Sequence, residues 1–257
     1  MGGRAVSRSR NAMPGAVVEA TPKFPRVRFT ELEFHRIIGT GQFGLVRVVR
    51  NIRTNEVYAL KVMHKAPIVE SKQIEHVINE RKILEEACVH PFCVRLCGAY
   101  QDKASLFLLQ EWVPGGELFH HLDVEGAFDE PTAMFYAANV LLALEFLHTK
   151  GIVYRDLKPE NLLMDTQVNP DKRLGSDKRL GADEIKRHRW FSRIDWKALE
   201  ARKLPSPFRP RVRNPLDTSN FDNFDNVDLD PPPVPADRQE KHNSQWELWD
   251  WIDGEHR

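Results

Sequence analysis

From Glu33 to Met63 the apolar side chains recur at about every second position in three successive runs, "EFHRIIGTG", "GLVRVVRN" and "EVYALKVM". A period of two sends alternate side chains to opposite faces, which a helix cannot do, so the runs are strands. A glycine turn joins the first two and "IRTN" joins the second to the third, giving a meander. "CVRLCGAY" and "SLFLLQEWV" read as two further strands. Between the meander and these strands, residues 71–87 place Ile74, Val77, Ile78, Leu84 and Ala87 on one face and Lys72, Glu75, Asn79, Lys82 and Glu86 on the other, the pattern of an amphipathic helix. Glu80 falls inside the apolar arc. The unit expected over residues 29–113 is a five-stranded antiparallel lobe with one inserted helix.

"PGGEL" marks a break, after which Asp129 is placed to cap a strongly apolar helix, "EPTAMFYAANVLLALEFLHTK", that stops at Gly151. That helix is apolar nearly all round, which calls for neighbours on several sides. Its longest apolar stretch is interrupted by Glu145 and is too short to span a bilayer, so no membrane span is expected. After Asp165 the character changes. "DKRLG" occurs at 171–175 and again at 177–181, a duplication too short for a solenoid unit, and 181–203 looks helical. From Pro205 the chain turns to Pro, Asp and Asn with little periodicity, and is expected to be extended.

The 37 basic and 37 acidic side chains leave no net charge, so nothing points to a nucleic-acid partner or an anionic membrane. Residues 1–28 carry Arg and Ser early on without the apolar core of a secretory signal, and read as a disordered tail. Gly2 suggests myristoylation, but Val6 stands where the pattern needs Ser or Thr. Cys88, Cys93 and Cys97 surround His90 with spacings that fit no common zinc pattern. Free core thiols on a buried strand, and a reducing, cytoplasmic compartment, are the expectation.

Three groups of residues carry chemistry. Gly39, Gly41 and Gly44 form G-x-G-x-x-G followed by a strand, which disfavours a dinucleotide fold and leaves a tight turn or a phosphate cradle. Phe43 at the tip would shield bound phosphates. Lys61 alternates with Leu60 and Val62, so it points to the face opposite theirs, and Glu80 needs a buried cation that Lys61 can supply. In "YRDLKPEN", Asp156 suits a proton acceptor for an attacking hydroxyl, Lys158 a neutraliser of charge on a moving phosphoryl group, and Asn161 a metal ligand through its amide oxygen.

With those motifs in order, the chain resembles the eukaryotic protein kinases. "VYALKVM", "IEHVINERKIL", "EWVPGGELF" and "VYRDLKPENLL" look like the cyclic-nucleotide-dependent, AGC-type Ser/Thr branch. The tail "LDTSNFDNFDN", followed by "DPPP" and a Trp-containing terminus, is most similar to the cGMP-dependent enzymes. The resemblance implies an α+β fold. It has a five-stranded first lobe, an incomplete and mainly helical second lobe over 114–204, and an extended tail over 205–257.

It further implies ATP and Mg2+ as cofactors and protein substrates with basic residues before Ser or Thr. The residues implied at the ATP site are Gly39, Thr40, Gly41, Gln42, Phe43, Gly44, Val46, Ala59, the Lys61–Glu80 pair, Gln110 at the gate, the hinge from Glu111 to Val113, Glu117 at the ribose and Phe221 folded over the nucleotide. Glu117 and Glu160 would attract the basic residues of the substrate, with Asp156 and Lys158 catalytic and Asn161 on the metal. The 28 residues ahead of the core are too few for a cyclic-nucleotide-binding barrel, so control by cGMP or cAMP would need a separate regulatory chain or a lost segment.

One part of the pattern is missing. No Asp-Phe-Gly and no Ala-Pro-Glu occurs anywhere in the 257 residues, and "LLMD" runs straight into "TQVNPDKRLG". The absent aspartate is the family's main magnesium ligand. Asp165, Asp171 and Asp177 are the nearest substitutes, and none has the Phe-Gly context. The chain reads as an internally truncated kinase, with three readings open: a working Ser/Thr kinase, a catalytically impaired nucleotide-binding or scaffold module, and a product of exon skipping whose complete form is an ordinary kinase.

Overall fold

The computed structural model describes residues 27–165, 182–224 and 226, together with 244–246, 249 and 251–252. The tail expected over 1–28 lies outside the described residues up to position 26, as do both "DKRLG" copies and "DPPP".

Alternation gives β1 (Leu32–Gly41), β2 (Gly44–Asn51) and β3 (Val57–His64), paired in antiparallel order through tight turns. β4 (Leu96–Gln101) and β5 (Ser105–Glu111) complete the five expected strands, with β5 inserted between β3 and β4. The sheet has one strand more than expected: β6 (Trp251–Ile252), from the far end of the chain, pairs with β4 to give the order β1-β2-β3-β5-β4-β6. Two residues carry no readable strand period, so this addition left no trace in the sequence pattern.

The lobe also has two helices where one was expected. α1 (Lys65–Glu70) precedes α2 (Ile74–Ala87), and Ser71 and Lys72 separate them, Lys72 with φ of +57°. On α2 the expected face is the packed one: Val77 and Ala87 are buried, and Ile74, Ile78 and Leu84 lie against a core cluster with Met63, Ile68 and Leu108. Two tail tryptophans, Trp246 and Trp249, complete that cluster and are almost fully buried. The other sheet face packs Leu60, Tyr58, Val49, Leu109 and Phe107 with Val27, whose carbonyl accepts from Tyr100 Oη at 2.7 Å.

"PGGEL" leads into a helix the sequence pattern did not show, α3 (Leu118–Glu125). α4 (Glu130–Thr149) begins where Asp129 accepts from the Thr132 amide at 3.0 Å, and the chain turns out through Gly151 with φ of +73°. The single helix expected over 181–203 is broken into α5 (Ala182–Lys186), a 3-10 turn at Arg189–Phe191 and α6 (Trp196–Glu200), because Asp195 caps a new start. Phe191 and Leu199 pack on Ala138 and Leu142 of α4, and Lys186 pairs with Glu145.

α4 is nevertheless only partly covered. Among its residues Thr132, Ala138, Leu142 and Leu147 are buried, and an apolar cavity of about 370 Å³ runs along it, lined by Val140, Leu144, Leu157 and Leu163 among others. Leu157 and Val153 are more than half exposed. No helix among the described residues is long and apolar enough to cross a membrane.

The expected buried strand of thiols resolves into three settings: Cys88 at the end of α2, Cys93 in the following turn and Cys97 buried in β4. Burial pushes the Cys93 thiol up to about 11. His90, between them, stacks on Phe146 of α4 at 4.7 Å, and burial holds its imidazole down at about 4, with Arg202 acting in the same direction.

Two outcomes follow from this packing. Trp249 Nε1 donates to the Tyr100 carbonyl at 2.9 Å, whereas Trp246 Nε1 is buried with no hydrogen-bond partner among the described residues. In urea unfolding Trp249→Phe is expected to cost on the order of 1 kcal/mol more than Trp246→Phe, since only the first loses a hydrogen bond. His90 is kept neutral in the fold while the unfolded imidazole protonates near its ordinary value of 6.5. Its contribution is therefore present above about pH 6.5 and lost as pH falls toward 4, by ~3 kcal/mol at most. Unfolding at pH 7 and pH 4.5 should show a smaller loss for His90→Phe than for the parent.

Candidate active site

Opposed residues of an antiparallel pair share a face, so register alone assembles one wall of a cleft. Gly39 faces Val46, Val46 faces Lys61 and Lys61 faces Leu108, a row across four strands. A second row on the same face runs from Val48 through Ala59 to Gln110. Thr40 pairs with Leu45, and Gly41 pairs with Gly44 around the turn residues Gln42 and Phe43.

The glycines differ in why they are glycine. A Cβ on Gly44 would run into the Val62 carbonyl, so β2 and β3 could not approach. Gly41 has open space around it and Gly39 only a distant Val46 Cβ, so at these two the missing side chain leaves backbone open to a ligand. Phe43 does not stand free at the tip. Its ring packs against the cluster beneath α2, and its carbonyl accepts from the His64 amide at 2.7 Å.

Lys61 Nζ lies 2.6 Å from Glu80 Oε1 of α2. The sequence argument called for a buried pair, but the side chains are 33% and 38% exposed, because the pair stands at the open edge between sheet and helix. At that exposure it contributes little to stability by itself. What it fixes is the position of the ammonium.

The chain leaves the sheet through Gln110 and Glu111. Glu111 is held in register from both sides: its amide donates to the Arg95 carbonyl at 2.9 Å and its carboxylate accepts from the Arg95 amide at 3.0 Å. Trp112, Val113 and Pro114 follow, then Gly115 and Gly116. A Cβ on Gly115 would meet the Met164 carbonyl, and Gly116 has φ of +79° with the Asn220 backbone against it. The amide of Met164 donates to the Gly116 carbonyl at 2.9 Å, that of Leu118 to the Leu162 carbonyl at 2.7 Å, and Glu117 forms a bridge with Leu163. These bonds tie the crossing between lobes to the strand leaving the "YRDLKPEN" loop.

Glu117, which precedes α3, is half-buried, and burial raises its carboxyl, with the charges of Asp222 and Glu160 pushing the same way. Three acidic groups thus gather at one place, two named from the sequence and Asp222 not. The only hint of Asp222 was its position beside Phe221. Phe221 itself stacks on Trp112, with ring centroids 5.0 Å apart and planes 26° apart. Trp112 was also passed over, since the sequence marked this stretch only as a connecting backbone.

In the loop after α4, Arg155 adopts φ of +60°, a left-handed conformation uncommon for a residue with a side chain and strained there. It turns the chain so that the Asp156 carboxylate is exposed. Asn161, on the 3-10 turn Pro159–Asn161, donates from Nδ2 to both the Asp156 carbonyl and Asp156 Oδ2, each at 2.8 Å. Its amide oxygen therefore points to the other side. Lys158 Nζ stands 3.5 Å from Asp156 Oδ2. The Tyr154 phenol is raised by burial, then by the Asp156 charge and to a lesser degree by Cys93 and Glu80. The charges of Asp156 and, more weakly, Glu80 thus both reach the Tyr154 phenol, so the Lys61–Glu80 pair and the loop lie in the same neighbourhood.

A divalent cation at phosphates needs several oxygen ligands. Asn161 offers one amide oxygen. Asp165 is engaged by Arg202 at 3.1 Å, and Asp171 and Asp177 lie outside the described residues. No group of three His, Cys, Asp or Glu side chains suited to a metal is assembled among the described residues. The described residues do not assemble a complete magnesium cage.

Residues 32–175 match the family described as protein kinase domain, and residues 212–248 match the protein kinase C terminal domain. The chain is 50% identical over 146 residues to the cAMP-dependent protein kinase catalytic subunit of Dictyostelium discoideum, covering 57% of this chain and 22% of that one. To the human cAMP-dependent protein kinase catalytic subunit PRKX it is 29% identical over 313 residues, 84% of this chain and 87% of that protein. To the serine/threonine-protein kinase gad8 of Schizosaccharomyces pombe it is 31% identical over 319 residues, 85% and 55%. The chain thus spans about a fifth of the length of the Dictyostelium protein. With more than half of its length matched by that domain, and the cleft built from the same segments, the chain belongs to the protein kinase family.

Proposed function

We propose that this chain is a serine/threonine kinase module of the AGC type whose nucleotide-binding half is intact and whose phosphoryl-transfer half is impaired. One observation supports this most directly: Lys61, fixed by Glu80, lies in the same cross-strand row as Gly39, and Glu80 and Asp156 both act on Tyr154. ATP and Mg2+ are the cofactors used across the family. Here Lys61 would meet the α- and β-phosphates beneath the open backbone of Gly39 and Gly41, and Gln110, Glu111 and Val113 would border the base, with Val46 and Ala59 as its ceiling. Asp156, held by Asn161, would accept the proton of a Ser or Thr hydroxyl, and Lys158 would offset charge on the transferred group. The acidic gathering of Glu117, Glu160 and Asp222 suits substrates with basic residues ahead of that hydroxyl.

The impairment rests on the metal. Among the described residues Asn161 alone offers an oxygen at the position the resemblance gives to a metal ligand, so the developing charge on the phosphates would lack its chief counter-charge. The alignment with PRKX is 313 positions long, more than the 257 residues of this chain, so the relative carries segments with no counterpart here. That length, the absent Asp-Phe-Gly and the partly uncovered α4 support an internal truncation at the Asp165–Thr166 junction, which reading the transcript across that junction tests directly. The tail sequence favours the cGMP-dependent branch, and the free thiols favour a reducing, cytoplasmic setting.

In calorimetry and thermal melts with ATP and Mg2+, the purified chain should bind nucleotide and gain stability by mass action. Lys61→Met should remove most of that gain. Transfer to a basic Ser peptide should fall at least about 100-fold below a relative with an intact metal site, and Asp156→Ala should abolish the remainder while leaving binding. Robust turnover would overturn the impairment, and no stabilisation by ATP would overturn the nucleotide site.

A further inference from the structure

The side chain of Trp112 has no role in the reading above, which used only the backbone on either side of it. Its surroundings are specific. The indole Nε1 donates to the Pro215 carbonyl at 2.7 Å, and the ring stacks on Phe221. Asn220, next to Phe221, is buried and its Nδ2 donates to the Pro114 carbonyl at 2.9 Å and to the Arg211 carbonyl at 3.1 Å. Gly116 leaves the space that the Asn220 backbone enters. Three consecutive stations on the connection between lobes, at 112, 114 and 116, thus each grip the tail.

The gripped segment is already shaped. Asp217 accepts from the amides of Arg213 at 2.8 Å and Ser219 at 3.0 Å, and the Phe221 amide donates to the Thr218 carbonyl at 3.0 Å. A tail braced in this way transmits the position of one end to the other. With the backbone of 217–221 braced in this way, the side chain that meets the Phe221 ring is the Trp112 indole.

We infer that Trp112 is a positioning residue for the nucleotide site: its indole, by stacking on Phe221 and bonding Pro215, holds the tail across the mouth of the cleft so that Phe221 covers the nucleobase. The inference rests on the nucleotide-binding reading. It adds that affinity for ATP depends on a side chain that is not itself placed against the nucleotide. Stack and hydrogen bond contribute separately, so variants can divide them.

The experiment measures ATP dissociation constants by calorimetry for the full chain, Trp112→Phe, Trp112→Ala, Phe221→Ala and the Trp112→Ala/Phe221→Ala double variant. Trp112→Ala should weaken ATP about tenfold, and Trp112→Phe, which keeps a ring but loses the donor, only about two- to threefold. The double variant should bind no more weakly than Phe221→Ala, because one residue acts through the other. Hydrogen exchange at 215–221 should quicken in Trp112→Ala without nucleotide, while exchange in β3 and β5 stays as in the parent, showing an intact lobe. Parental affinity in Trp112→Ala, or additive losses in the double variant, overturns the inference and leaves the nucleotide reading standing. If the parent binds no ATP, both fail, and exchange at the tail then reports a purely structural clamp.

Discussion

The cleft depends on where Lys61 points. Strand register sets that direction: the side chain shares a face with Val46 and Leu108 while Leu60 and Val62 enter the opposite core. A slip of one residue would exchange these faces, placing an ammonium in an apolar cluster and a leucine in the cleft. The core thus enforces the chemistry, and the Glu80 contact refines the position of a group that packing has already aimed. Because both side chains are about a third exposed, the pair adds little stability of its own. Its value is geometric, since it stops a long flexible side chain from sampling water.

The tail acts on the same lobe at two places. Near its middle it is gripped by the crossing between lobes through Trp112, Pro114 and Gly116. At its end Trp246 and Trp249 fill the cluster between α2 and the sheet, and β6 extends the β4 edge. The second contact bears on the first observation, because α2 carries Glu80 and the tryptophans pack with Val77, one turn before it. The carboxylate that orients Lys61 stands on a helix whose packing the far end of the chain completes. A core built partly from such distant residues pays a larger loop-closure entropy than the meander does.

The difference between local and distant order also explains what the sequence made legible. The strands, the packed face of α2, the Asp129 cap and the exit at Gly151 all follow from neighbours within a few residues, and each could be read from period or capping chemistry. α3 was hidden because eight residues with His120 and His121 at the centre show no clear stripe, His121 being buried where it bonds the Gly115 carbonyl and meets the Phe208 ring. The break in 181–203 was carried by one residue, Asp195, whose side chain accepts the Ala198 amide and restarts the helix. β6, Asp222 and the indole of Trp112 owe their places to contacts more than a hundred residues apart along the chain, or to a charge cluster formed only after folding. No window of sequence contains both partners. Glu80 was legible as the partner of a cation but not its exposure, which depends on how far the helix stands from the sheet.

The same division separates the two halves of the proposed chemistry. The residues proposed to hold a nucleotide come from the sheet register, the crossing at Glu111–Gly116 and the tail, where the cross-strand pairs, the Arg95–Glu111 bond and the Trp112–Pro215 bond are all formed. What would neutralise the phosphates and seat an acceptor needs more oxygen ligands than Asn161 provides and more wall than α4 finds around it. Asn161 illustrates the limit. Its two bonds to Asp156 fix the base in place, which is a local task completed within five residues, yet its amide oxygen meets no second acidic ligand drawn from elsewhere among the described residues. On the proposed function, binding and transfer draw on structure of different range. A fold can keep the first when the sheet closes, whereas the second requires a further segment to arrive at the cleft and bring a carboxylate with it.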